Sequence, residues 1–505
     1  MKYSTLILAL LLTFSCKKEK TKTNYLGVVN ITISGKEKAI PHFEEGLLLL
    51  HSFEYEDARE AFIQAQDEDP NMPMAYWGEA MTYNHSLWGE QDFENGVAAL
   101  KHIEDIDLDK SVTDLERDFI KAIQILYQPK TDKNERDVAY ASFMEGLTKK
   151  YPANHEVAAF YALSLLGSVA EGRDDVIYGK GAKIAEGILK ENPKHPGALH
   201  YLIHSYDDPS HANLGLDAAN AYSKVAPDAS HALHMPSHIY VAMGMWDEVI
   251  ASNIDSYQAS LNRMERKNLD NDARGYHAYH WLEYGYLQKG NSEEAKNMVM
   301  NMSQYSKESP SKRARVHMVF LKGTYLVGTN DWTGDISDIE VDIADLNVSV
   351  RSQYNFLDGM KYYKNENKKG LDSIISKIGD DSNRATFVVS NSNAKLCAGV
   401  SRDEANETDI TEAKIRQVQL KALAANLNDD IILAEKYFVE SISLEESISY
   451  SYGPPAIQKP THELYADWLL TQNRKQEAIQ HYEIGLKAAP KRLLALEGID
   501  QANKI

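Results

Sequence analysis

Two pairs of histidines lie one fixed distance apart in this sequence of 505 residues. His200 and His204 form the first pair, His234 and His238 form the second, and 34 residues separate each histidine from its counterpart. Histidines four positions apart lie on one face of a helix, about one turn from each other. Imidazole nitrogen is a common ligand of zinc and copper. The spacing therefore predicts candidate metal ligands at equivalent positions of two successive helices.

The 34-residue spacing is also found outside the histidines, since it separates Pro193 from Pro227. It is the period of the tetratricopeptide repeat, a helix-turn-helix unit with small residues, an aromatic residue and a final proline at set positions. A unit counted from Ala39 has that pattern at Gly46, Ala58, Phe62, Ala65 and Pro70. A unit counted from Lys459 has it at Ala466, Ala478, Tyr482, Gly485 and Pro490.

The chain therefore resembles the tetratricopeptide-repeat superfamily, and within it the large bacterial lipoproteins of uncharacterised function. The resemblance implies an all-α fold, namely an α-solenoid of helix-turn-helix repeats that forms a right-handed superhelix. A solenoid also accounts for the length, because each repeat packs only on its neighbours and no single large core is needed.

The sequence divides into six predicted regions. They are a signal peptide (1–15), a lipidated cysteine with a flexible tether (16–36), N-terminal repeats (37–128), histidine-rich repeats (129–305), degenerate helical repeats with a loop insertion (306–420), and a C-terminal repeat with a capping helix (421–505).

The first sixteen residues resemble a bacterial lipoprotein signal. Lys2 provides the positive charge, residues 6–12 form a short apolar run, and Cys16 stands where the lipid is attached. We therefore expect a protein of the bacterial cell envelope, anchored by lipid at the outer membrane or the periplasmic face. The alternative is an ordinary secretory signal with an incidental cysteine. The only other cysteine is Cys397, so acylation of Cys16 leaves no pair for an internal disulfide.

The net charge of −20 comes from 54 basic and 74 acidic residues. This balance predicts no nucleic-acid partner, because phosphate neutralisation needs clustered basic residues. We expect the membrane to be contacted through the lipid anchor alone.

Positions 2, 5, 9, 12 and 13 of a tetratricopeptide repeat face the concave groove, according to the resemblance. Counted from Pro196, Ser230 and Tyr276, seven histidines fall at positions 2, 5 or 9, and His85 falls at position 13 of an earlier unit. Acidic residues and one more histidine follow the first pair directly. The predicted site residues are His200, His204, Asp207, Asp208, His211, His231, His234, His238, His277 and His280.

Three interpretations of these residues stay open. The histidines bind a metal, with zinc or copper as the candidates and Asp207 and Asp208 as ligands or as supports of the ligands. They line a polar groove that recognises a protein or peptide. Or they are structural and satisfy each other inside the helix packing. The first two predict a membrane-anchored binding or assembly module with a histidine-lined groove.

A metal-dependent hydrolase is the alternative function, in which the His/Asp cluster holds zinc. The chain has no HExxH motif, no nucleophile elbow and no phosphate-binding loop, so no catalytic residue is predicted from a motif. Glu283 and Asp207 are the best candidates for a general base.

Overall fold

The computed structural model describes residues 25–108, 112–391 and 404–504, and within them the fold is all-α. The fold class predicted from the repeat, an α-solenoid of tetratricopeptide-like units, is confirmed. The one sheet in the described residues is a two-stranded antiparallel pair, β1 (Asn84–His85) and β2 (Glu90–Gln91). The predicted signal peptide, Cys16 and Cys397 lie outside the described residues.

Among the described residues, twelve helices run from the start of the array to the second histidine pair. They are α1 (Ile40–His51), α2 (Tyr55–Glu68), α3 (Pro73–Met81), α4 (Phe93–Glu104), α5 (Asp114–Leu126), α6 (Lys133–Lys150), α7 (His155–Gly167), α8 (Asp175–Glu191), α9 (Pro196–Tyr206), α10 (Ala212–Val225), α11 (Ser230–His234) and α12 (Pro236–Met243).

Eleven further helices complete the described chain. They are α13 (Trp246–Lys267), α14 (Tyr276–Gln288), α15 (Ser292–Glu308), α16 (Lys312–Thr329), α17 (Val348–Lys364), α18 (Lys368–Asn391), α19 (Glu407–Leu427), α20 (Ile431–Ser447), α21 (Thr461–Thr471), α22 (Lys475–Ala488) and α23 (Leu493–Lys504).

Small residues allow the helices of a repeat to approach each other. A Cβ atom added to Gly46 of α1 would lie 2.8 Å from the ring of Phe62, which belongs to α2. A Cβ added to Gly78 of α3 would lie 2.3 Å from the same ring. Phe62 is fully buried between the two. The repeat pattern thus uses glycine on one helix to make room for an aromatic ring on the next, at the density of a protein interior.

Both ends of the solenoid are attached to its middle. Residues 25–36, part of the segment predicted to be a flexible tether, are instead extended chain held against the repeats. The Val28 amide donates to the carbonyl of Lys194 at 2.9 Å, and the Ser34 hydroxyl donates to Glu116 at 2.8 Å. Helix α1 packs on α9. At the other end, the Leu493 amide donates to the side chain of Gln288 at 2.8 Å.

Residues 448–460, called the strap from here on, connect α20 to the last repeat. The strap passes over α14 and α16, since a Cβ on Gly453 would meet the ring of Trp281 and the Gln458 amide donates to the carbonyl of Phe320. Gly453 has a φ of +95°, a conformation open to glycine and strained for other residues. The side of the repeats expected to face a ligand is therefore partly covered by the chain itself.

Within the described residues, every helix is either too short or too polar to cross a bilayer.

Candidate metal centre

Four helices carry the central histidines, and prolines set where two of these helices begin. Pro196 occupies the first turn of α9, where a missing N–H costs nothing, and the side chain of His195 caps the helix by accepting from the Ala198 amide. Pro236 separates α11 from α12, because its ring and its missing N–H break the helical hydrogen-bond pattern. His234 and His238 therefore stand on two short helices in close succession.

Six of the ten predicted residues form two groups of three imidazoles. We call His200, His204 and His231 the first trio. The second trio is His234, His238 and His277. In each trio, one ring nitrogen from each histidine lies within 4.8 Å of the ring nitrogens of the other two. Such groups are close enough for small adjustments to bring three nitrogens onto one ion.

Hydrogen bonds fix the tautomer of two histidines of the first trio. His200 Nδ1 lies 2.8 Å from the carbonyl oxygen of His51, and His204 Nδ1 lies 3.1 Å from Oδ2 of Asp207. Both partners can only accept, so in each ring Nδ1 carries the hydrogen and Nε2 keeps its lone pair. An Nδ1–H bound to a carbonyl or carboxylate is the usual support of a histidine that ligates metal through Nε2.

The second trio is supported in the same way. His238 Nδ1 lies 3.1 Å from Oδ2 of Asp207, the oxygen that also accepts from His204. His234 Nδ1 lies 2.7 Å from Oδ1 of Asn253, whose Nδ2 is directed to the carbonyl of Val249. Nε2 is thus the free acceptor in four of the six histidines.

These Nε2 atoms are buried, and they have no hydrogen-bond partner among the described residues. The same is true of His231, which gives five such histidines: His200, His204, His231, His234 and His238. Exposure is 0% for His200, 2% for His234 and 7% for His238. A buried acceptor without a partner costs about 1–3 kcal/mol, so five such atoms in one place destabilise the folded protein unless a ligand binds them.

The electrostatics keep four of these imidazoles neutral. Burial, reinforced by the neighbouring histidines, lowers the pKa of His200 and His231 well below the ordinary value. It lowers the pKa of His234 to about 3. Burial also lowers the pKa of His238, although the hydrogen bond to Asp207 opposes this. Neutral imidazole is the form that binds metal, so no proton has to be displaced near pH 7.

Aromatic rings enclose both trios. The ring of Phe53 lies 4.2 Å from that of His200 and 5.8 Å from that of His231, between centroids. Its backbone φ of 55° is rare for a bulky residue, and it follows the C-terminus of α1, where the chain turns. Trp281 lies 4.7 Å from His234 and 4.6 Å from His238. These rings lower the local dielectric constant around the nitrogens.

The other four predicted residues have different positions. Asp207 accepts a hydrogen bond from Nδ1 of one histidine in each trio, as described above. Asp208 instead forms an ion pair with Arg173 at 3.0 Å and accepts from His211 Nδ1 at 2.8 Å. His280 Nε2 is bonded to the hydroxyl of Thr324 at 2.8 Å. The structure therefore does not place Asp208, His211 or His280 with the two trios. His85 also lies apart, stacked on Tyr55 at 4.0 Å.

A third histidine–carboxylate group was not predicted from the sequence. Glu156 of α7 accepts from His51 Nε2 at 2.8 Å and from His195 Nε2 at 3.1 Å, and all three side chains are fully buried. The remaining ring nitrogens also have partners, since His51 Nδ1 is bonded to the Tyr201 hydroxyl and His195 Nδ1 accepts from Ala198. In this buried triad, every ring nitrogen already has a hydrogen-bond partner.

The two carboxylates considered as general bases have distinct surroundings. Asp207 shares one oxygen between two imidazoles, and its other oxygen faces Arg173 Nη1 at 3.6 Å. Burial raises its pKa, but the hydrogen bonds from His204 and His238 outweigh this and hold it below the ordinary value.

Glu283 is fully buried, and neither of its oxygens has a hydrogen-bond partner among the described residues. Burial raises the pKa of Glu283 well above its usual range.

No protein-family model matches the chain, and no curated protein is significantly similar to it in sequence. Solved structures with similar helical arrays include yeast Tom70, with 12% identity, a TM-score of 0.32, and coverage of 93% of this chain and 89% of that one. Human IFIT1 in complex with m7Gppp-AAAA has 11% identity, a TM-score of 0.35, and coverage of 93% and 81%. The TPR domain of P58(IPK) has 12% identity, a TM-score of 0.22, and coverage of 92% and 97%. At these scores the likeness carries no argument about ligands or partners.

Proposed function

We propose that this protein is a metal-binding tetratricopeptide-type solenoid of the bacterial envelope, which holds a divalent transition-metal ion at the paired histidine trios. One observation carries the proposal: five buried imidazoles present Nε2 atoms without a partner among the described residues, and in four of them Nδ1 is bonded to an acceptor that leaves Nε2 as the lone-pair nitrogen. Metal coordination would satisfy those atoms.

The donor set favours zinc or copper in the divalent state. All the ligands are neutral imidazoles, which suit Zn²⁺ and Cu²⁺, whereas Mg²⁺ and Ca²⁺ prefer oxygen. A thioether contribution that would favour Cu⁺ has no support here, because Met235 is fully buried in the apolar core and Met243 and Met245 pack against that core. The proposal therefore rests on nitrogen donors alone.

Elemental analysis of protein purified without an affinity tag tests this proposal. We expect zinc or copper in stoichiometric amount, and removal of the metal by a strong chelator. His204→Ala should lose metal, because it removes one ligand and one hydrogen bond of Asp207. His211→Ala is the matched control, since His211 lies in the same stretch of sequence but outside the trios. A metal-free protein whose melting temperature is unchanged by added Zn²⁺ or Cu²⁺ would contradict the proposal.

The location and anchoring of the protein form a second part of the proposal. The basic start, the apolar run and Cys16 support a lipoprotein signal, which places the solenoid in the envelope on a lipid anchor. Incorporation of labelled fatty acid into the wild type, and its absence from Cys16→Ser, is the expected result. Equal labelling of both proteins would contradict lipidation at this cysteine.

Partner binding is the third part, and what supports it is the repeat scaffold, which offers long surfaces to proteins and peptides. The strap already covers part of α14 and α16, so a protein partner would use the remaining surface. We expect its binding to persist after chelation, because the buried trios and the outer surface are separate. Loss of binding on chelation would show that the metal site and the partner surface are one.

A further inference from the structure

The two trios occupy the same positions of successive repeats. The first trio combines positions 5 and 9 of the repeat that starts at Pro196 with position 2 of the repeat that starts at Ser230. The second combines positions 5 and 9 of the Ser230 repeat with position 2 of the repeat that starts at Tyr276. Each trio is therefore built by the same rule from one helix and the next.

The array of trios ends after two members. Position 5 of the Tyr276 repeat is again a histidine, His280, but position 9 is Tyr284. His280 is bonded to Thr324, and the Tyr284 hydroxyl accepts from Arg492 at 3.2 Å. A third site of the same design is thus replaced by contacts that hold α14 to neighbouring parts of the chain.

The two trios are separate groups of ligands. No described histidine belongs to both, although the rings are close enough for contact between trios. The centroids of His204 and His238 are 5.2 Å apart, and those of His231 and His234 are 6.0 Å apart. One further group joins His204 and His238 with Asp207, whose Oδ2 already accepts from Nδ1 of both rings. The Nε2 atoms of the two histidines therefore remain for the trios, which share no histidine.

One carboxylate connects the trios. Oδ2 of Asp207 accepts from the position-9 histidine of each trio, at 3.1 Å in both cases. Its negative charge lies behind both sets of nitrogens and compensates part of the positive charge that two ions would bring. Asp207 is therefore a positioning residue common to both trios rather than a ligand of one.

We propose that the protein binds two divalent ions, one in each trio, with Asp207 as their shared support. This inference rests on the proposed metal-binding function and specifies its stoichiometry. The two ions differ in access: the most exposed histidine of the first trio, His231, is half-buried, whereas His277 of the second trio is exposed to solvent. A chelator therefore removes the ion of the second trio first, and that of the first trio more slowly.

Titration of chelator-treated protein with Zn²⁺, followed by calorimetry and elemental analysis, tests this inference. The wild type is expected to bind two ions. His200→Ala and His234→Ala are each expected to bind one, and the double variant none. His211→Ala and His280→Ala, which alter histidines outside the trios, should still bind two. Far-ultraviolet circular dichroism checks that each variant keeps its helices, and His231→Gln replaces His200→Ala if the latter does not fold.

The possible outcomes separate the two proposals. One ion in the wild type that is lost in both single variants would overturn the two-ion inference and keep the metal-binding function. No ion in the wild type would overturn both. Asp207→Asn should keep two ions but bind both about 10–100-fold more weakly, as expected when a support of metal-bound histidine is lost. Weakening at only one site would refute a shared role for Asp207. The melting temperature of metal-free Asp207→Asn is compared with that of the metal-free wild type. Equal temperatures would show that the weaker metal binding does not come from a loss of stability.

Discussion

The buried triad and the paired trios use the same residue types in opposite ways. In both, one carboxylate accepts hydrogen bonds from two imidazoles: Glu156 from His51 and His195, and Asp207 from His204 and His238. The triad also satisfies the far nitrogens of its rings. In five of the six trio histidines that nitrogen is buried and has no partner in the part of the chain that the structure describes. A histidine–carboxylate cluster is thus a metal candidate only when the second ring nitrogen remains available.

The charges of the two groups show the same contrast. Burial tends to raise the pKa of Glu156, but the two histidines more than offset this and hold it well below the ordinary value. The triad is an internal brace between α1, α7 and α9, complete without any further ligand. Asp207 accepts from only two of the six trio histidines, and five of the six have an Nε2 atom without a partner among the described residues.

Removing the carboxylate of the triad should have the largest effect on stability. Glu156→Ala leaves two buried imidazoles without their acceptor, and loss of one partner in a buried ionic group costs about 3–5 kcal/mol. Denaturant unfolding of the metal-free protein measures this. Folded protein of this variant should still bind metal as the wild type does. A loss below about 1 kcal/mol would contradict the role of Glu156 as a brace.

Adding metal should stabilise the trios and leave the triad unaffected. Binding to the folded state alone adds about 2.7 kcal/mol per ion when free metal is 100 times the dissociation constant. Thermal unfolding with and without Zn²⁺ measures this, and Glu156→Ala should gain as much as the wild type. His234→Ala should gain less. If Zn²⁺ stabilised His234→Ala and the wild type equally, the stabilising ion would bind outside the second trio.

Removing the hydrogen-bond partner of one ring nitrogen in the triad should lower the stability of the protein without creating a metal site. Tyr201→Phe removes the hydroxyl that is bonded to His51 Nδ1 at 2.8 Å. A buried acceptor without a partner costs about 1–3 kcal/mol. Metal stoichiometry should not increase, because a single nitrogen is not a site. Tyr222→Phe, which removes a buried hydroxyl bonded to Ser52, is the matched control, and equal stability of the two variants would contradict the prediction.

The smallest effect concerns Glu283, a buried carboxylate whose oxygens have no hydrogen-bond partner among the described residues. Because burial raises its pKa, the folded protein holds the proton at a pH where the unfolded chain releases it. The contribution of the Glu283 carboxyl group to the free energy of unfolding is therefore largest below its ordinary pKa of 4.5, and it falls as the pH rises above that value.

Unfolding free energies of Glu283→Gln and the wild type from pH 4 to pH 8 measure this effect. The variant should become the more stable of the two as the pH rises. Glu294→Gln, at an exposed position of the next helix, should show no such trend. A difference between Glu283→Gln and the wild type that stays constant with pH would mean that Glu283 does not titrate in this way.

The sequence predicts the repeat fold and the two histidine pairs, because both depend on local periodicity. A 34-residue spacing places His200 and His234 at equivalent positions, and helical geometry places each partner one turn away. The candidate set also contained His231 and His277, the third members of the trios. Whether these residues bind metal stays a proposal.

What sequence analysis missed depends on contacts between distant segments. Glu156 is 105 residues from His51, and no periodicity relates α1 to α7. His280 shares the repeat position of His200 and His234, and His211 follows the first pair closely in sequence, but Thr324 and Asp208 engage them instead. These competing partners could not be recognised without the fold, because only the packing of α16 beside α14 brings Thr324 to His280.

The attachment of both ends of the described repeat array to its centre has a consequence for how this protein denatures. Open repeat arrays contact only nearest neighbours, so their terminal units can fray while the middle stays folded. Here α1 packs on α9, and Arg492 near the C-terminus is bonded to Glu463 at 2.7 Å and to Tyr284 of α14 at 3.2 Å. Loss of either end exposes the central repeats, so the array should melt as one cooperative unit, like a closed ring rather than an open chain.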